Sequence, residues 1–378
     1  MTVTLRRISL IGTYGNGNNI SNILEAEATL GVDQRYSTAT FTTAVPVSGL
    51  DYNNVVRLTM GVLRGNVVAR FEGLLKHRTF SYKPRGIKYT CYGYLSIAAQ
   101  YENTDDPTAI GGLIPMDLIG SPTGTASQII SAALGVGGVP HNSGNIDSSG
   151  IQYGNYEDAF IWTNGENSQN FDLREAGESL LSYIERYDEI DTDGVRRFRT
   201  IETLPDSGGV IRAAMTIPPS GSSDLNFTET VDILDGSFDR SIEDTRNYFV
   251  VTGYDVGAGA GPEAYALGPL NNSFQHPPNK YTVHLNNPMI ERATDNQQGP
   301  GQSCQTVANA LSAEFNREIT KGWIETFRDD PVGPLQVHLI SGNGGIVDRL
   351  GIGQLGIVQR VTCSVTSRGF RQRFDYLA

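Results

Sequence analysis

Five histidines are the residues of this 378-residue chain best suited to bind a metal or exchange protons near neutral pH. They are His77, His141, His276, His284 and His338. No two share the spacing of a metal-binding pair on one helix, and no His-Glu-x-x-His motif occurs. A site around the turn at 277–278, between His276 and His284, is the one alternative, and solvated surface histidines are favoured over it. The sequence therefore predicts no metal site.

Motifs for nucleophilic catalysis and nucleotide binding are also missing. Ser220 and Ser341 stand beside glycines, but neither lies in a Gly-x-Ser-x-Gly motif. Glycine-rich runs occur at 12–19, 135–138 and 342–345, without the Lys-Ser/Thr of a P-loop. None follows a strand and opens a helix, as a dinucleotide site requires. We interpret these runs as turns and predict no catalytic residue and no cofactor.

Carboxylates cluster at 188–194, where Asp191-x-Asp193-Gly194 is similar to the start of a calcium loop. The twelfth loop position is Glu202, but the residues before it have the pattern of a strand. An exposed hairpin turn is therefore favoured over a calcium site. A pair of glycosidase carboxylates could be distant in the chain, and 41 acidic residues do not single one out.

Charge excludes general nucleic-acid binding as the main function. The formal net charge is -12, and affinity for phosphate comes mainly from Lys and Arg. The acidity would suit a surface that DNA slides past without sticking, or it serves solubility alone. Two small basic groups, at 196–199 and 368–373, form either a salt-bridged sheet face or a contact with a neighbouring subunit.

The cysteines and the N-terminus indicate folding in a reducing cytoplasm without export. Cys91, Cys304 and Cys363 are odd in number and widely spaced, which predicts three reduced thiols and no disulfide framework. Residues 1–12 lack the apolar core of a secretory signal. No apolar run is long enough to span a bilayer, so no membrane insertion is expected.

Alternating apolar and polar residues predict strands over most of the first hundred residues. The predicted strands cover 24–30, 36–43, 55–62, 66–75 and 86–94, with a tight hairpin turn at 63–66. Short segments of this kind, separated by Gly, Pro, Asn or Asp, are typical of an antiparallel sheet or barrel.

The middle of the chain changes character, and strands return after it. Helices are predicted at 122–135, 178–187 and 306–319, and loops at 136–170 and 257–268. Further strands are predicted at 195–201, 247–254, 323–327, 335–340 and 356–366. The predicted fold class is β-rich α+β, with two antiparallel β-barrel domains at 1–100 and 246–378 and a small inserted α+β region at 101–245.

The order of these segments resembles the phage tail baseplate hub family, which includes late control proteins and the hub part of secretion-system spikes. The resemblance covers most of the chain and depends on three places. They are the strands at 68–73 and 87–95, the helices and strand within 125–198, and the run 241–253 at the start of the second barrel. The family's Pro-Gly-Asp before a late strand is replaced here by Pro331-Val332-Gly333-Pro334.

The resemblance implies a mechanical function and no enzyme activity. Hubs of this family are trimers with two tail-tube-like barrels per subunit, so that three subunits present six barrels to the hexameric tail tube. Below the tube the trimer would meet the three-fold spike or tip, beside distal tail and baseplate proteins. The implied location is the virion tail, after synthesis in the host cytoplasm. No wall-cutting module follows Ala378, so that activity would reside on another polypeptide.

One hypothesis about the channel and two alternative functions follow. If DNA passes through the lumen during ejection, an acidic lining would repel phosphate, and a strongly basic lumen would contradict this. A carbohydrate-degrading tail enzyme would need two carboxylates in an aromatic cleft, and a screen on bacterial polysaccharides would detect it. A receptor-binding module of the tail tip would bind cells by itself.

Overall fold

A computed structural model describes the following parts of the chain. They are residues 8–62, 68–82, 85–100, 131, 134–135, 137–141, 181–182, 198–203, 211–214, 223–241, 248–252, 263–267, 280–284, 312, 319–342 and 354–377.

Within these residues the chain is almost entirely β-structure. The strands of the first hundred residues are β1 (Ile8–Tyr14), β2 (Asn18–Ile20), β3 (Ile23–Gly31), β4 (Thr38–Thr43), β5 (Val55–Val62), β6 (Val68–Tyr82) and β7 (Arg85–Gly93), followed by the helix α1 (Leu95–Gln100). The later strands are β8 (Phe198–Glu202), β9 (Ile211–Ala214), β10 (Leu225–Thr228), β11 (Ile233–Ser241), β12 (Tyr248–Thr252), β13 (Glu263–Leu267), β14 (Lys280–His284), β15 (Ile319–Thr326), β16 (Val337–Ser341), β17 (Gln354–Thr366) and β18 (Gly369–Leu377).

Thirteen strands from both ends of the chain form one hydrogen-bonded sheet. Its order is β11-β15-β18-β17-β3-β4-β7-β6-β5-β1-β2, with β16 pairing a second stretch of β17 and β10 pairing β16. All of these pairs are antiparallel except the parallel pair β10–β16. Two smaller sheets, β13-β12-β14 and β8-β9, are separate from it.

The N-terminal and C-terminal strands meet where β3 pairs with β17. The register runs from Arg360 opposite Gly31 to Val365 opposite Ala26. The same edge of β17 first pairs with β16, from Gln354 to Ile357. A register shift between Val358 and Arg360 separates the two stretches on the β18 side. A bulge of this kind bends a strand, which lets β17 serve both groups of strands.

Side-chain alternation places one core against the whole sheet. In β4 the even-numbered threonines are half-buried, whereas Ala39 and Phe41 are buried. The ring of Phe41 stacks on Tyr89 of β7, with 4.7 Å between the ring centroids. Buried residues of the N-terminal and C-terminal strands belong to a single hydrophobic cluster. The two ends of the chain therefore fold as one packed body.

Each half of the sheet begins and ends on strands that are neighbours in sequence. The path β3-β4-β7-β6-β5-β1-β2 ends on a strand that residues 21–22 join to β3. The path β10-β16-β17-β18-β15-β11 ends on a strand that residues 229–232 join to β10. The first and last strands of each path therefore lie close together.

Most strand predictions are confirmed, whereas one loop prediction and one helix prediction are corrected. The predicted loop 257–268 contains β13, because Glu263–Leu267 pairs along its whole length with β12. The predicted helix 306–319 is helical at Ser312, but Ile319 is already the first residue of β15, opposite Ser241. Pairing across the sheet outweighs local helical spacing there. The turn at 63–66 lies outside the described residues, although β5 and β6 do pair as a hairpin.

The predicted helices of the middle region are described only in part. Ser131, Leu134 and Gly135 are helical, and so are Leu181 and Ser182. The strands β10 and β11 fall within the predicted inserted region 101–245, yet they pair with β16 and β15. No described helix is long and apolar enough to cross a membrane.

Candidate functional site

The histidines do not form a site in the described part of the chain. The His77 ring lies edge-on to Tyr92, and a ring nitrogen of His141 lies 2.8 Å from the Val139 carbonyl oxygen. His338 is buried, whereas His284 lies in β14 and His276 lies outside the described residues. No described group of three or more His, Cys, Asp or Glu side chains could hold a metal ion.

Some of the other residues singled out from the sequence lie in the described part of the chain, and others lie outside it. The carboxylates at 188–194 lie outside them, as do Arg196 and Arg197, whereas Arg199 lies in β8. The glycine run 12–19 forms the turn between β1 and β2, where Gly15 and Gly17 have positive φ. That result confirms the turn interpretation, because glycine adopts such angles readily. Gly138 also has positive φ, and 342–345 is described only at Gly342.

The basic group near the C-terminus forms a salt-bridged sheet face. Arg371 lies 3.6 Å from the Glu325 carboxylate. Arg373 donates a 2.8 Å bond to Asp375, and its guanidinium lies 4.2 Å from the centroid of the Trp323 indole. Arg368 is exposed in the turn between β17 and β18. The contacts of Arg371 and Arg373 agree with the first of the two interpretations made from the sequence, a salt-bridged sheet face.

A buried arginine fixes the two ends of the chain to each other. Arg70 on β6 is fully buried, and its guanidinium donates to the backbone carbonyls of Asp330 at 2.7 Å and Asp329 at 2.5 Å. Its Nε also donates to the Met60 carbonyl at 3.3 Å. In return, the Asp329 carboxylate accepts the amide of Val62 at 3.2 Å. A buried cation is stable only when it is bonded in this way.

The segment that receives Arg70 is held from the C-terminal side as well. The amide of Gln372 donates to the same Asp330 carbonyl at 2.9 Å. Arg328 bonds the Asp330 carboxylate at 2.6 Å and the Asn226 carbonyl at 2.8 Å. The segment between β15 and β16 is thus bonded to β5, β6, β10 and β18. We call Arg70 together with the segment 327–336, which contains Arg328, the arginine joint.

A second buried charged group attaches β8 to the N-terminal strands. Glu202 accepts the amides of Ser37 at 2.7 Å and Leu95 at 2.6 Å, and it also accepts the Ser37 hydroxyl. Burial raises the pKa of the Glu202 carboxyl, and these donors partly offset that rise. Gly93 leaves space for the Glu202 carboxylate, since a Cβ at position 93 would collide with it.

An aromatic cluster surrounds His338 in the C-terminal half. Its Nδ1 lies 2.8 Å from the Tyr376 hydroxyl oxygen, and its ring contacts Phe227 and Phe374 at centroid distances of 5.0 Å. Burial, together with the charge of Arg328, lowers the pKa of His338 to about 3. The imidazole is therefore neutral at physiological pH, and it serves packing.

The sheet leaves open edges on which another chain could pair. In the described residues β11 pairs only with β15, and β2 only with β1. A cavity of about 230 Å³ lies beside β11 and combines apolar and acidic side chains. Its lining includes Glu229, Ile233, Leu234, Asp235, Phe238 and Ile324. An exposed edge next to an apolar surface is typical of an assembly contact.

Sequence reasoning missed the arginine joint, Glu202 as a buried attachment, and the open edge of β11. Arg70 is one of 29 Lys and Arg residues, and nothing in its neighbourhood distinguishes it. The strand β11 had a signal, because Ile233 to Phe238 mixes apolar and polar residues directly after the turn at 229–232.

Three solved structures have the same fold over nearly the whole chain. A tail protein from Neisseria meningitidis MC58 has a TM-score of 0.60 at 9% identity, with 98% of this chain and 97% of that chain covered. The 43 kDa tail protein of prophage MuSo2 from Shewanella oneidensis gives 0.58 at 10% identity, with 98% of each chain covered. A prophage tail protein from Listeria monocytogenes EGD-e gives 0.52 at 12% identity, with 97% and 94% covered.

These likenesses confirm the predicted resemblance at the level of the fold. No protein-family model matches the sequence, and no curated protein matches it either. The β-rich fold of this chain is thus one that three tail proteins, two of them from prophages, also have.

Proposed function

We propose that this chain is a structural, non-enzymatic protein of a phage tail, and that three copies form the central hub of the baseplate. The hub joins the hexameric tail tube to the trimeric spike or tip, and distal tail and baseplate proteins surround it. Its place is the virion, after synthesis in the host cytoplasm. During ejection DNA passes transiently through its lumen.

The single observation that carries this proposal is the two-part sheet. Each half starts and ends on strands that are sequence neighbours, as a rolled-up barrel requires, and the two halves are joined through β3 and β17. Two barrels in each of three subunits give the six units that a hexameric tube would meet. The strands β10 and β11 would then belong to the second barrel, which would begin near residue 223.

The arginine joint supports a mechanical function. A hub must transmit force between tube and spike without its barrels moving apart. Hydrogen bonds from the fully buried Arg70 to a segment about 260 residues away tie the halves rigidly. The fold likeness to tail proteins supports the same proposal.

The first test is the solution mass by light scattering, together with electron-microscope class averages of the same sample. We expect three times the chain mass of 41.0 kDa and a three-fold ring with an open channel and six similar lobes. A particle that remains a compact monomer over the accessible concentration range would contradict the proposal. So would a ring of another symmetry.

A further inference from the structure

The two halves of the large sheet repeat one arrangement of strands. In the N-terminal half the strands lie in the order β3-β4-β7-β6, and β5 pairs with the first part of β6. In the C-terminal half the order is β11-β15-β18-β17, and β16 pairs with the first part of β17. The strands also follow each other along the chain in the same relative order, apart from the small sheet β12–β14 between β11 and β15. By this comparison β6 corresponds to β17, and β3 corresponds to β11.

Bulges occur at corresponding places in the two halves. The register shift of β3 skips Leu24, and that of β11 skips Leu234. In both strands an isoleucine precedes this leucine and an acidic residue follows it. The register shift of β6 on its β7 side skips Lys76, and that of β17 on its β18 side skips Gln359. The bulges therefore align the two halves residue by residue.

Backbone contacts beside the strands repeat as well. The amide of Asn53 donates to the Leu75 carbonyl at 2.9 Å, and the amide of Leu335 donates to the Val358 carbonyl at 2.7 Å. Asn53 and Leu335 both have positive φ, at 62° and 68°. This conformation is uncommon for residues other than glycine. The repeat therefore extends to details of the backbone.

One element of the arrangement is complete in only one half. The second part of β17 pairs with β3, from Arg360 opposite Gly31 to Val365 opposite Ala26. The corresponding part of β6, residues 77–82, has no described strand along the same edge. The counterpart of β3 is β11, and its outer edge is also free in the described part of the chain. Two free edges therefore correspond to the two strands that pair where the halves meet.

We propose that residues 77–82 of β6 in one copy of this chain pair with β11 of the next copy, in the register of the β17–β3 pairing. His77 and Arg360 each follow a bulge, and Ser241 and Gly31 each lie seven residues after a bulged leucine. His77 would thus lie opposite Ser241 of the next copy. The inference rests on the proposed ring of copies, because a contact between two different surfaces of one chain closes only into a ring.

The directions of the strands agree with this contact. The run from β6 to β11 has eight strands, β6-β7-β4-β3-β17-β18-β15-β11, and each neighbouring pair is antiparallel. The strand β11 therefore runs opposite to β6 of its own chain. Rotation about a ring axis that lies along the strands keeps their direction, so β11 also runs opposite to β6 of the next copy. The contact is antiparallel, like the junction of β3 and β17.

The side chains in this register also fit each other. Phe80 lies opposite the buried Ile87, on the core face of the sheet, yet it is 74% exposed. The register places it beside Phe238 of the next copy. Phe238 is on the core face as well, since its ring stacks on the buried Tyr376, and it lines the cavity of about 230 Å³ beside β11. The contact would cover the Phe80 ring, and aromatic pairs across antiparallel strands are stabilising.

The repeat selects a second copy as the occupant of the free edge. The edge at 77–82 requires a strand equivalent to β3, and the chain contains that strand as β11. Two other edges of the large sheet, β2 and β10, have only three and four residues. Long unpaired edges are prone to pair with another chain, and mutual pairing of β6 and β11 covers both.

Disulfide crosslinking tests the register. Thr79 and Asp239 would be opposite each other, as are Thr362 and Thr29, whose hydroxyl oxygens lie 3.3 Å apart. A chain with Thr79→Cys is mixed with a chain that has Asp239→Cys, both in a Cys304→Ser background, and the assembled protein is oxidised. We expect a covalent dimer with one chain of each kind, and mass spectrometry should find the disulfide between positions 79 and 239.

The matched control replaces Asp239→Cys by Ser237→Cys. Ser237 is also exposed on β11 and points to the same face, but it lies two residues away from the position opposite Thr79. Because a disulfide requires close Cα atoms, this pair should crosslink about tenfold less or weaker still. Absence of the 79–239 disulfide in the assembled protein, or equal crosslinking of the control, would overturn the proposed pairing.

Hydrogen exchange tests the contact without any substitution. At the junction the Val32 amide donates to the Gln359 carbonyl at 2.9 Å. Continued along the strands, this alternation gives the amides of Phe80 and Phe238 acceptors across the new contact. Their exchange should slow about tenfold or more when separate chains assemble, whereas the amides of β2 should not change. Unchanged exchange of both amides in the assembled protein would contradict the pairing.

The two proposals fail in different ways. A three-fold ring without the 79–239 disulfide would leave the hub function in place and remove the β6–β11 contact. The disulfide in a dimer, or in an open chain of copies, would support the contact and contradict the trimeric hub.

Discussion

The guanidinium of Arg70 donates a 2.7 Å hydrogen bond to the backbone carbonyl of Asp330, which lies 260 residues further along the chain. Arg70 is fully buried, and the Asp330 carbonyl receives a second bond from Gln372. A single side chain therefore joins the N-terminal strands to the segment that leads into the last strands. The stability of the whole sheet should depend on it.

Replacing Arg70 with methionine should lower the free energy of unfolding by about 3 kcal/mol, because three backbone carbonyls each lose a hydrogen bond from the buried guanidinium. Arg57→Met is the control, since Arg57 is partly exposed and forms an ion pair with Glu72 at 3.4 Å. Its loss should stay below about 1 kcal/mol. Urea unfolding measures both. Equal losses would show that the joint adds no more than a surface ion pair.

Glu202→Ala should release β8 from the N-terminal strands. The amides of Ser37 and Leu95 would lose their acceptor, and their hydrogen exchange should speed up about tenfold or more. Glu25→Ala, which removes an exposed carboxylate bonded to Thr42, should leave both amides protected. Exchange followed by mass spectrometry at residue resolution would decide. Unchanged protection in the Glu202 variant would mean that β8 is held by other contacts.

His338 should make the protein less stable as the pH falls. Its folded pKa is about 3 and its ordinary value is 6.5, so between these values the unfolded chain binds a proton that the folded chain excludes. Stability is then full above about pH 6.5 and falls by up to about 1.4 kcal/mol per pH unit below it.

The His338→Phe variant isolates this dependence. It should lose stability at every pH, because the Tyr376 hydroxyl loses its partner, but the difference from wild type should shrink as the pH falls from 6.5 to 4. Unfolding of this variant and of the wild type at a series of pH values measures the difference. A constant difference for His338→Phe would mean that the imidazole becomes protonated in the fold.

The buried thiols should not react in the folded protein. Burial raises the pKa of Cys91 to about 12 and also raises the pKa of Cys363, so neither forms the reactive thiolate near pH 8. In a Cys304→Ser background, a thiol reagent should label no cysteine without denaturant and two with it. Labelling of Cys91 or Cys363 in the native protein would show that the core opens around that cysteine.

Strands such as β4 and β5 were predicted well because each buries one face, and burial of one face imposes alternation. Thr38 to Thr43 is an example, since its inward positions hold Ala39 and Phe41. The local pattern failed to predict strands that form only through pairing with another strand. Glu263–Leu267 looks like loop and becomes a strand only through its pairing with β12.

The candidate sites were harder to predict than the strands. The cavity beside β11 and the Arg70 contacts join segments that are far apart in the chain, and a single sequence carries no record of such pairing.

The pairing of β3 with β17 also has a consequence for how the protein is made. When a ribosome has finished β3, about 330 residues must still be translated before β17 exists to cover its edge. At 5–20 residues per second this takes roughly 20 to 60 seconds. During that time one edge of β3 has no partner strand, and the strand carries the apolar residues Ala26, Ala28 and Leu30. Nascent chains of this protein should thus depend on ribosome-associated chaperones more than nascent chains whose strands pair locally.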